Sequence, residues 1–179
     1  MTLKEKKIEK AFTYLESGPV ILVTTKDGKK KNVMTISWHM VLEFNCRIAL
    51  CTGSWNESFD TIMKTKECVI CVPAVDIIDK VIGVGTKHAS EIDKFETYKI
   101  KTAKATKVKA PLLPECLACI ECKLDGYLPD HNILVFDAVK LWVNSGKKEK
   151  RLVHAIGDGT FVVDGEKLNY KKEMADRVP

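Results

Sequence analysis

Three groups of residues have the types and spacing to do chemistry. The first is Asn32-Val33-Met34-Thr35-Ile36-Ser37-Trp38, where amide, hydroxyl and indole groups interrupt an apolar run. Alternate residues of an extended chain share a face. Val33, Thr35 and Ser37 therefore point one way, and Asn32, Met34, Ile36 and Trp38 the other. Two hydroxyls two residues apart can converge on one polar ligand; equally, an edge strand can turn its Thr and Ser to water. The second group is Ser54-Trp55-Asn56-Glu57, a capping box directly after Cys51-Thr52-Gly53. The free N–H groups of a helix start attract anions, and a nearby glycine lets a phosphate come close. Ser54 and Ser58 add hydroxyl donors, although an ordinary helix cap reads the same way. The third group is cysteine. Cys116-x-x-Cys119-x-x-Cys122 mimics part of a ferredoxin run, and Cys68-x-x-Cys71 a zinc or redox pair.

The metal reading of the cysteines fails on spacing. The bacterial cluster run needs a further Cys followed by Pro, whereas Cys122 is followed by Lys-Leu-Asp-Gly. On a strand, Cys119 and Cys122 would also diverge. Their apolar surroundings suit cysteine as a small hydrophobe, and seven cysteines fit a reducing compartment. The four histidines, His39, His88, His131 and His154, lack zinc spacing. No metal is expected. No Gly-x-Gly-x-x-Gly follows a strand, so no dinucleotide-binding Rossmann unit is expected either.

These residues need elements to hold them. Pro19-Val-Ile-Leu-Val-Thr-Thr25 and the Asn32–Trp38 run flank a Lys-Asp-Gly-Lys turn, which predicts a hairpin. A capping box at Thr2-Leu-Lys-Glu5 predicts an N-terminal helix, ended by Gly18 and Pro19. Strands are expected over residues 47–51 and 67–72, with a helix from Ser54 to about Lys64 between them. A short helix is expected at 76–84 and a helical turn at 90–95. The lysine-rich segment 97–109 reads as a loop with a short strand. Residues 118–128, 132–143 and 160–163 read as strands, and the tail from Asn169 as polar and loosely held. Many short strands with few helices favour a β-barrel in one domain over 1–179.

Bulk properties narrow the partners. The net charge of +5 is carried mostly by lysine; Arg47, Arg151 and Arg177 are the arginines. Base readout leans on arginine, and the lysines are interleaved with acids, so nucleic acid is not an expected partner. A mildly basic surface suits phosphorylated cofactors or acidic redox partners. No apolar run approaches a membrane span, and the charged start Met1-Thr-Leu-Lys-Glu-Lys-Lys is unlike a signal peptide. A cytoplasmic protein is expected.

The order Pro-Val-x-Leu-Val-Thr-Thr, then Asn-x-Met-Thr-x-Ser-Trp, resembles the flavin reductase-like family, most nearly its flavoredoxin branch. Arg47-Ile-Ala-Leu-Cys51, Cys68-Val-Ile-Cys-Val-Pro73, Asp93-Lys94-Phe95, Ala110-Pro-Leu-Leu113 and Glu121-Cys122-Lys123 continue the match. It spans roughly residues 12–165. The resemblance implies a Greek-key split β-barrel that holds FMN, usually as a homodimer. It places Thr35, Ser37 and the loop from Cys51, Thr52, Gly53 and Ser54 to Ser58 around the phosphate and ribityl chain. Asn32, Met34 and Trp38 would lie near the ring system, with Trp55 stacked at its edge. Lys94 would serve the phosphate or a flavin oxygen. Lys87-His88-Ala89-Ser90 stands where the family usually has a small Ser-Gly-type loop, which bears on the substrate side. Two functions follow: an electron carrier of the flavoredoxin type between redox proteins, or an NAD(P)H-dependent flavin reductase. A basic β-barrel that binds nucleic acid is the alternative from another class.

Overall fold

The computed structural model describes residues 18–173. The predicted N-terminal helix lies outside them. The apolar run and the Asn32–Trp38 run form the expected hairpin, β1 (Ile21–Asp27) and β2 (Lys30–Ile36). Gly28 makes the turn at φ 57°, a conformation that glycine adopts at little steric cost. An unpredicted strand follows, β3 (His39–Glu43), then β4 (Arg47–Cys51). Helix α1 (Glu57–Thr65) leads to β5 (Glu67–Val72). Helix α2 (Ile78–Thr86) and the short α3 (Lys94–Thr97) precede two long strands, β6 (Ala118–Leu128) and β7 (Ile133–Val143). A small hairpin, β8 (Val153–Ala155) with β9 (Phe161–Val163), completes the set.

β1 to β7 form one antiparallel sheet in the order β2-β1-β5-β6-β7-β4-β3. β5, β6 and β7 are consecutive, and β4 returns to lie beside β7, a Greek-key arrangement. The edges of the sheet are β2 and β3, yet only Ser37 and Trp38 separate them in sequence. The sheet must therefore curl until its edges nearly meet, and they are not paired with each other. This is a split β-barrel, and the Asn32–Trp38 run crosses its split.

The side-chain alternation of the strands creates two cores. Inside the barrel, Val23, Met34, Leu50, Cys68, Cys122, Leu134 and Phe136 meet Phe59 and Ile62 of α1. Outside, Leu22, Val33, Val69, Cys71 and Cys119 pack under Val81, Val84 and Phe95. Cys119 and Cys122 thus face opposite sides, as strand geometry predicts.

The lysine-rich segment 97–109 contains no regular strand, only a bridge from Ala103 to Leu112. Carboxylates order it instead. The buried Glu121 accepts N–H groups from Thr106, Lys107 and Val108, the Thr106 hydroxyl, and the indole N–H of Trp142 at 2.7 Å. Burial raises the Glu121 pKa, but these donors outweigh it and hold the carboxyl at about 2. Glu67 accepts from Lys109 N–H and Lys123, and Glu115 from Lys101 N–H and Lys80.

Candidate functional site

The site grows from the start of α1. The predicted capping box is not formed. Asn56, not Ser54, is the N-cap, and no side chain caps the helix. Ser54 lies exposed in the preceding turn. The Glu57 carboxylate does not reach back to its own helix; it accepts the N–H groups of Ala89 at 2.6 Å and Ser90 at 3.1 Å. The Ser90 hydroxyl, followed by these N–H groups, holds its pKa below the usual carboxylate value against the effect of burial. Glu57 thereby ties Ala89 and Ser90 to α1, so that these two backbone N–H donors are already occupied.

On one side of α1, Asn32 donates to the buried Ser58 hydroxyl at 3.0 Å and accepts the N–H of Val33 at 2.7 Å. Lys94 starts α3, whose N-cap Asp93 accepts from Phe95 and Glu96 N–H. Its side chain runs inward, 6% exposed, and donates to the carbonyls of Val33 at 3.1 Å and Val84 at 3.0 Å. No carboxylate pairs with it among the described residues. Burial lowers its pKa, while Glu57 and Glu91 oppose that shift from further away. Asn32 and Lys94 line a cavity of about 530 Å³, together with Thr25, Lys29, Lys30, Lys31, Glu57 and residues of the 89–95 segment. Lys31 sits 4.3 Å from the centre of the Phe95 ring.

On the other side lies the split of the barrel. Cys51 N–H donates to the Trp38 carbonyl at 3.0 Å, and Thr52 N–H to the Asn132 carbonyl at 2.9 Å. A Cβ on Gly53 would come within 2.3 Å of the Trp55 ring, so glycine alone lets that ring lie over the backbone. Trp38 and Trp55 are both exposed. Thr52 and Thr25 each bury a hydroxyl that has no hydrogen-bond partner among the described residues. Gly53 O then accepts from Asn56 N–H, which links this group to the first turn of α1 and so to Ser58 and Asn32.

Of the predicted site residues, Asn32 and Lys94 line this cavity; Met34 and Thr35 have other surroundings. Met34 is 2% exposed within the barrel core, away from the cavity wall. Thr35 faces α2 and donates its hydroxyl to the Val81 carbonyl at 2.7 Å; Gly85 lets that side chain approach. Thr35 and Ser37 therefore do not present two idle hydroxyls to one ligand. Ser37 is half-buried at the end of β2. The cavity lysines at positions 29–31 were legible only as part of a turn; their charge beside a hairpin tip was the available signal.

The flavin reductase-like domain matches residues 14–160 of this chain. The chain belongs to that family. Among curated relatives, YddH of Escherichia coli K12 is 27% identical over 180 residues, covering 90% of this chain and 95% of that protein. Solved structures share the fold. The flavoredoxin of Desulfovibrio vulgaris (Miyazaki F) superposes with a TM-score of 0.83 at 18% identity, covering 93% of this chain and 96% of its own. An FMN-binding domain of a flavin reductases-like enzyme from Shewanella baltica OS155 gives 0.78 at 21% identity, covering 92% and 95%. Both share the fold of the curled sheet here. Among the described residues, no helix is long and apolar enough to cross a membrane.

Proposed function

We propose that the protein binds FMN and transfers electrons through it, as a redox protein of the flavoredoxin type. The observation that carries this reading is Lys94. A buried ammonium with two carbonyl acceptors and, among the described residues, no carboxylate partner is costly by itself. It stands on the wall of a basic cavity, beside Asn32 and the start of α1. A phosphate or the electron-rich edge of a flavin would supply the missing counter-charge. The 51–55 segment, with a Thr52 hydroxyl that has no hydrogen-bond partner among the described residues, reaches the same helix start through the Gly53–Asn56 bond. Asn32, Ser58, Lys94 and the 51–55 segment would hold it, with Trp38 and Trp55 shielding its apolar surface. Met34 and Thr35 would act from behind, through packing.

Bound FMN supplies the one- and two-electron chemistry. The protein's share is to bind the group, orient it and limit access by water. The electron donor is NAD(P)H or a redox protein, and the seven free cysteines fit a reducing cytoplasm. The active species is a homodimer. Its motive is the apolar surface on β3, the turn after it and β7: Val41, Phe44, Leu141 and Val143 are 69%, 84%, 61% and 67% exposed. Patches of this kind mark interfaces, and two-fold dimers are the commonest oligomers. The β8–β9 hairpin, with the exposed Phe161 and Val162, would reach toward the partner's site.

Anaerobic mixing with NADH or NADPH separates carrier from reductase. A carrier keeps its yellow colour until a reduced redox protein is added. Rapid bleaching by either nucleotide alone would favour the flavin reductase reading.

A further inference from the structure

The cysteine motifs that read along the chain come apart in the fold. Cys68 and Cys71 turn to opposite sides of β5, as Cys119 and Cys122 do on β6. Their partners lie across the sheet. Cys68 stands opposite Cys122 inside the barrel, and Cys71 opposite Cys119 in the outer core.

The two pairs differ in geometry. Leu124 N–H donates to the Lys66 carbonyl at 2.9 Å, one step beyond the Glu67–Lys123 pair. Hydrogen-bonded and non-hydrogen-bonded pairs alternate along an antiparallel ladder. Counted from Lys66 and Leu124, Cys68–Cys122 is a hydrogen-bonded pair and Cys71–Cys119 is not. Facing Cβ atoms lie about 4.5–5.5 Å apart, nearest in the pairs without ladder bonds. A disulfide requires about 3.5–4.5 Å. The outer pair therefore sits at the bridgeable end of the range, and the inner pair at the other.

The two outer sulfurs also differ from each other. Cys119 Sγ accepts the thiol of Cys71 and the N–H of Leu113, the latter at 3.4 Å. These bonds, that of Cys71 first, hold the Cys119 thiol below its ordinary pKa against the effect of burial. Burial, followed by the contacts with Cys116 and Cys119, pushes the Cys71 thiol up. Cys119 is thus the nucleophile and Cys71 its proton-bearing neighbour. Cys119 is 5% exposed and Cys71 0%. The turn from Leu113 to Cys116, closed by Cys116 N–H on the Leu113 carbonyl at 3.0 Å, lies against Cys119. Local opening of that turn admits a small oxidant.

We infer that Cys71 and Cys119 form a peroxide-sensitive dithiol that closes to a cross-strand disulfide. The Cys119 thiolate attacks one oxygen of hydrogen peroxide, the O–O bond breaks, and hydroxide leaves with the Cys119 proton as water. The sulfenic acid left on Cys119 is then attacked by the Cys71 sulfur. The S–O bond breaks, and its hydroxyl leaves with the Cys71 proton as a second water. Two thiols and one peroxide thereby give one disulfide and two waters. Thiol reductants reverse the step by exchange, and transient bonds of this kind suit a reducing compartment. The dithiol depends neither on the cavity nor on a flavin.

The test is treatment of the reduced full chain with stoichiometric hydrogen peroxide, then thiol counting and mass spectrometry after denaturation. Two of the seven free thiols should disappear with the loss of two hydrogens, and dithiothreitol should restore them. Fragmentation of the digest should place the link between Cys71 and Cys119. Cys119→Ala should abolish the loss, whereas Cys68→Ala, which breaks the inner pair, should leave it intact. Should either variant fail to fold, the map of the wild type decides alone. A chain that keeps all seven thiols overturns the dithiol. So does a link from Cys68 to Cys122, from Cys71 to Cys116 or between two chains, or an undiminished loss in Cys119→Ala.

Discussion

Asn32 Nδ2 donates to the Ser58 hydroxyl across 3.0 Å, and this bond joins the second strand to the first turn of α1. Ser58 is fully buried, so its hydroxyl cannot turn to water instead. The pair fixes the helix start against the strand that crosses the barrel's split. A double-mutant cycle with Asn32→Ala and Ser58→Ala, read from urea midpoints, should give a coupling of about 0.5–1.5 kcal/mol. Each single variant should also weaken FMN binding. Additive effects on stability would mean that the bond does not organise the site.

Lys94 should trade stability for binding. Lys94→Met keeps the length of the side chain and removes a buried charge. The flavin-free variant is expected to be more stable than the wild type by about 1 kcal/mol or more, while FMN binds at least about tenfold more weakly. The pH dependence carries the sign. The folded-state pKa lies below the ordinary 10.5, so the unfolded chain holds the proton more tightly. Flavin-free stability should rise with pH between those two values, and FMN affinity should fall there as the ammonium is lost. The variant should show neither slope. A less stable variant with unchanged FMN affinity would contradict this role.

Glu121 should govern the acid limit of folding. Its folded pKa of about 2 lies below the ordinary 4.5. The stability it provides is full above the unfolded value and is lost as pH falls toward the folded one. Glu121→Gln should cost about 2–4 kcal/mol near neutrality, because an amide cannot accept all the N–H groups gathered there. It should also flatten the loss of stability below pH 4.5. Urea unfolding across that range checks both effects, and a wild-type slope in the variant would refute the assignment.

The dimer should depend on the exposed apolar residues of β3, of the turn after it and of β7. Leu141→Glu or Phe44→Glu places a charge in the apolar surface and should shift the native mass from dimer to monomer in light scattering. Trp142 is a poorer probe, since its indole is spent on Glu121 and its loss would loosen the 97–109 segment too. A native monomer holding FMN at full occupancy would contradict a dimer built for the site.

Much of this was legible in the sequence because alternation is local. The β1–β2 hairpin, the long β6 and β7, the divergence of Cys119 from Cys122 and the resemblance that places the barrel all follow from patterns within a few residues. What was not legible depended on distant partners. β3 is an edge strand with an exposed apolar face, His-Met-Val-Leu-Glu, and lacks a clear alternation. The Ser54 box had the right letters, but Glu57 found better donors in Ala89 and Ser90, some thirty residues away, and the helix began at Asn56. Thr35 looked available as a ligand until α2 brought the Val81 carbonyl to it. The lysines 29–31 read as turn residues, because only the folded chain places Lys94 behind them.

The central claim is that the cavity lined by Asn32 and Lys94, with Ser58 holding Asn32 from behind, takes a phosphorylated flavin. The most direct measurement is titration of flavin-free protein with FMN and with riboflavin, followed by flavin fluorescence, for the wild type and Lys94→Met. The wild type is expected to saturate at about one FMN per chain and to prefer FMN over riboflavin by about tenfold or more, the value of one or more charge-assisted hydrogen bonds. The variant should lose most of that preference. A wild type that binds neither flavin, or binds both equally well, would contradict the account.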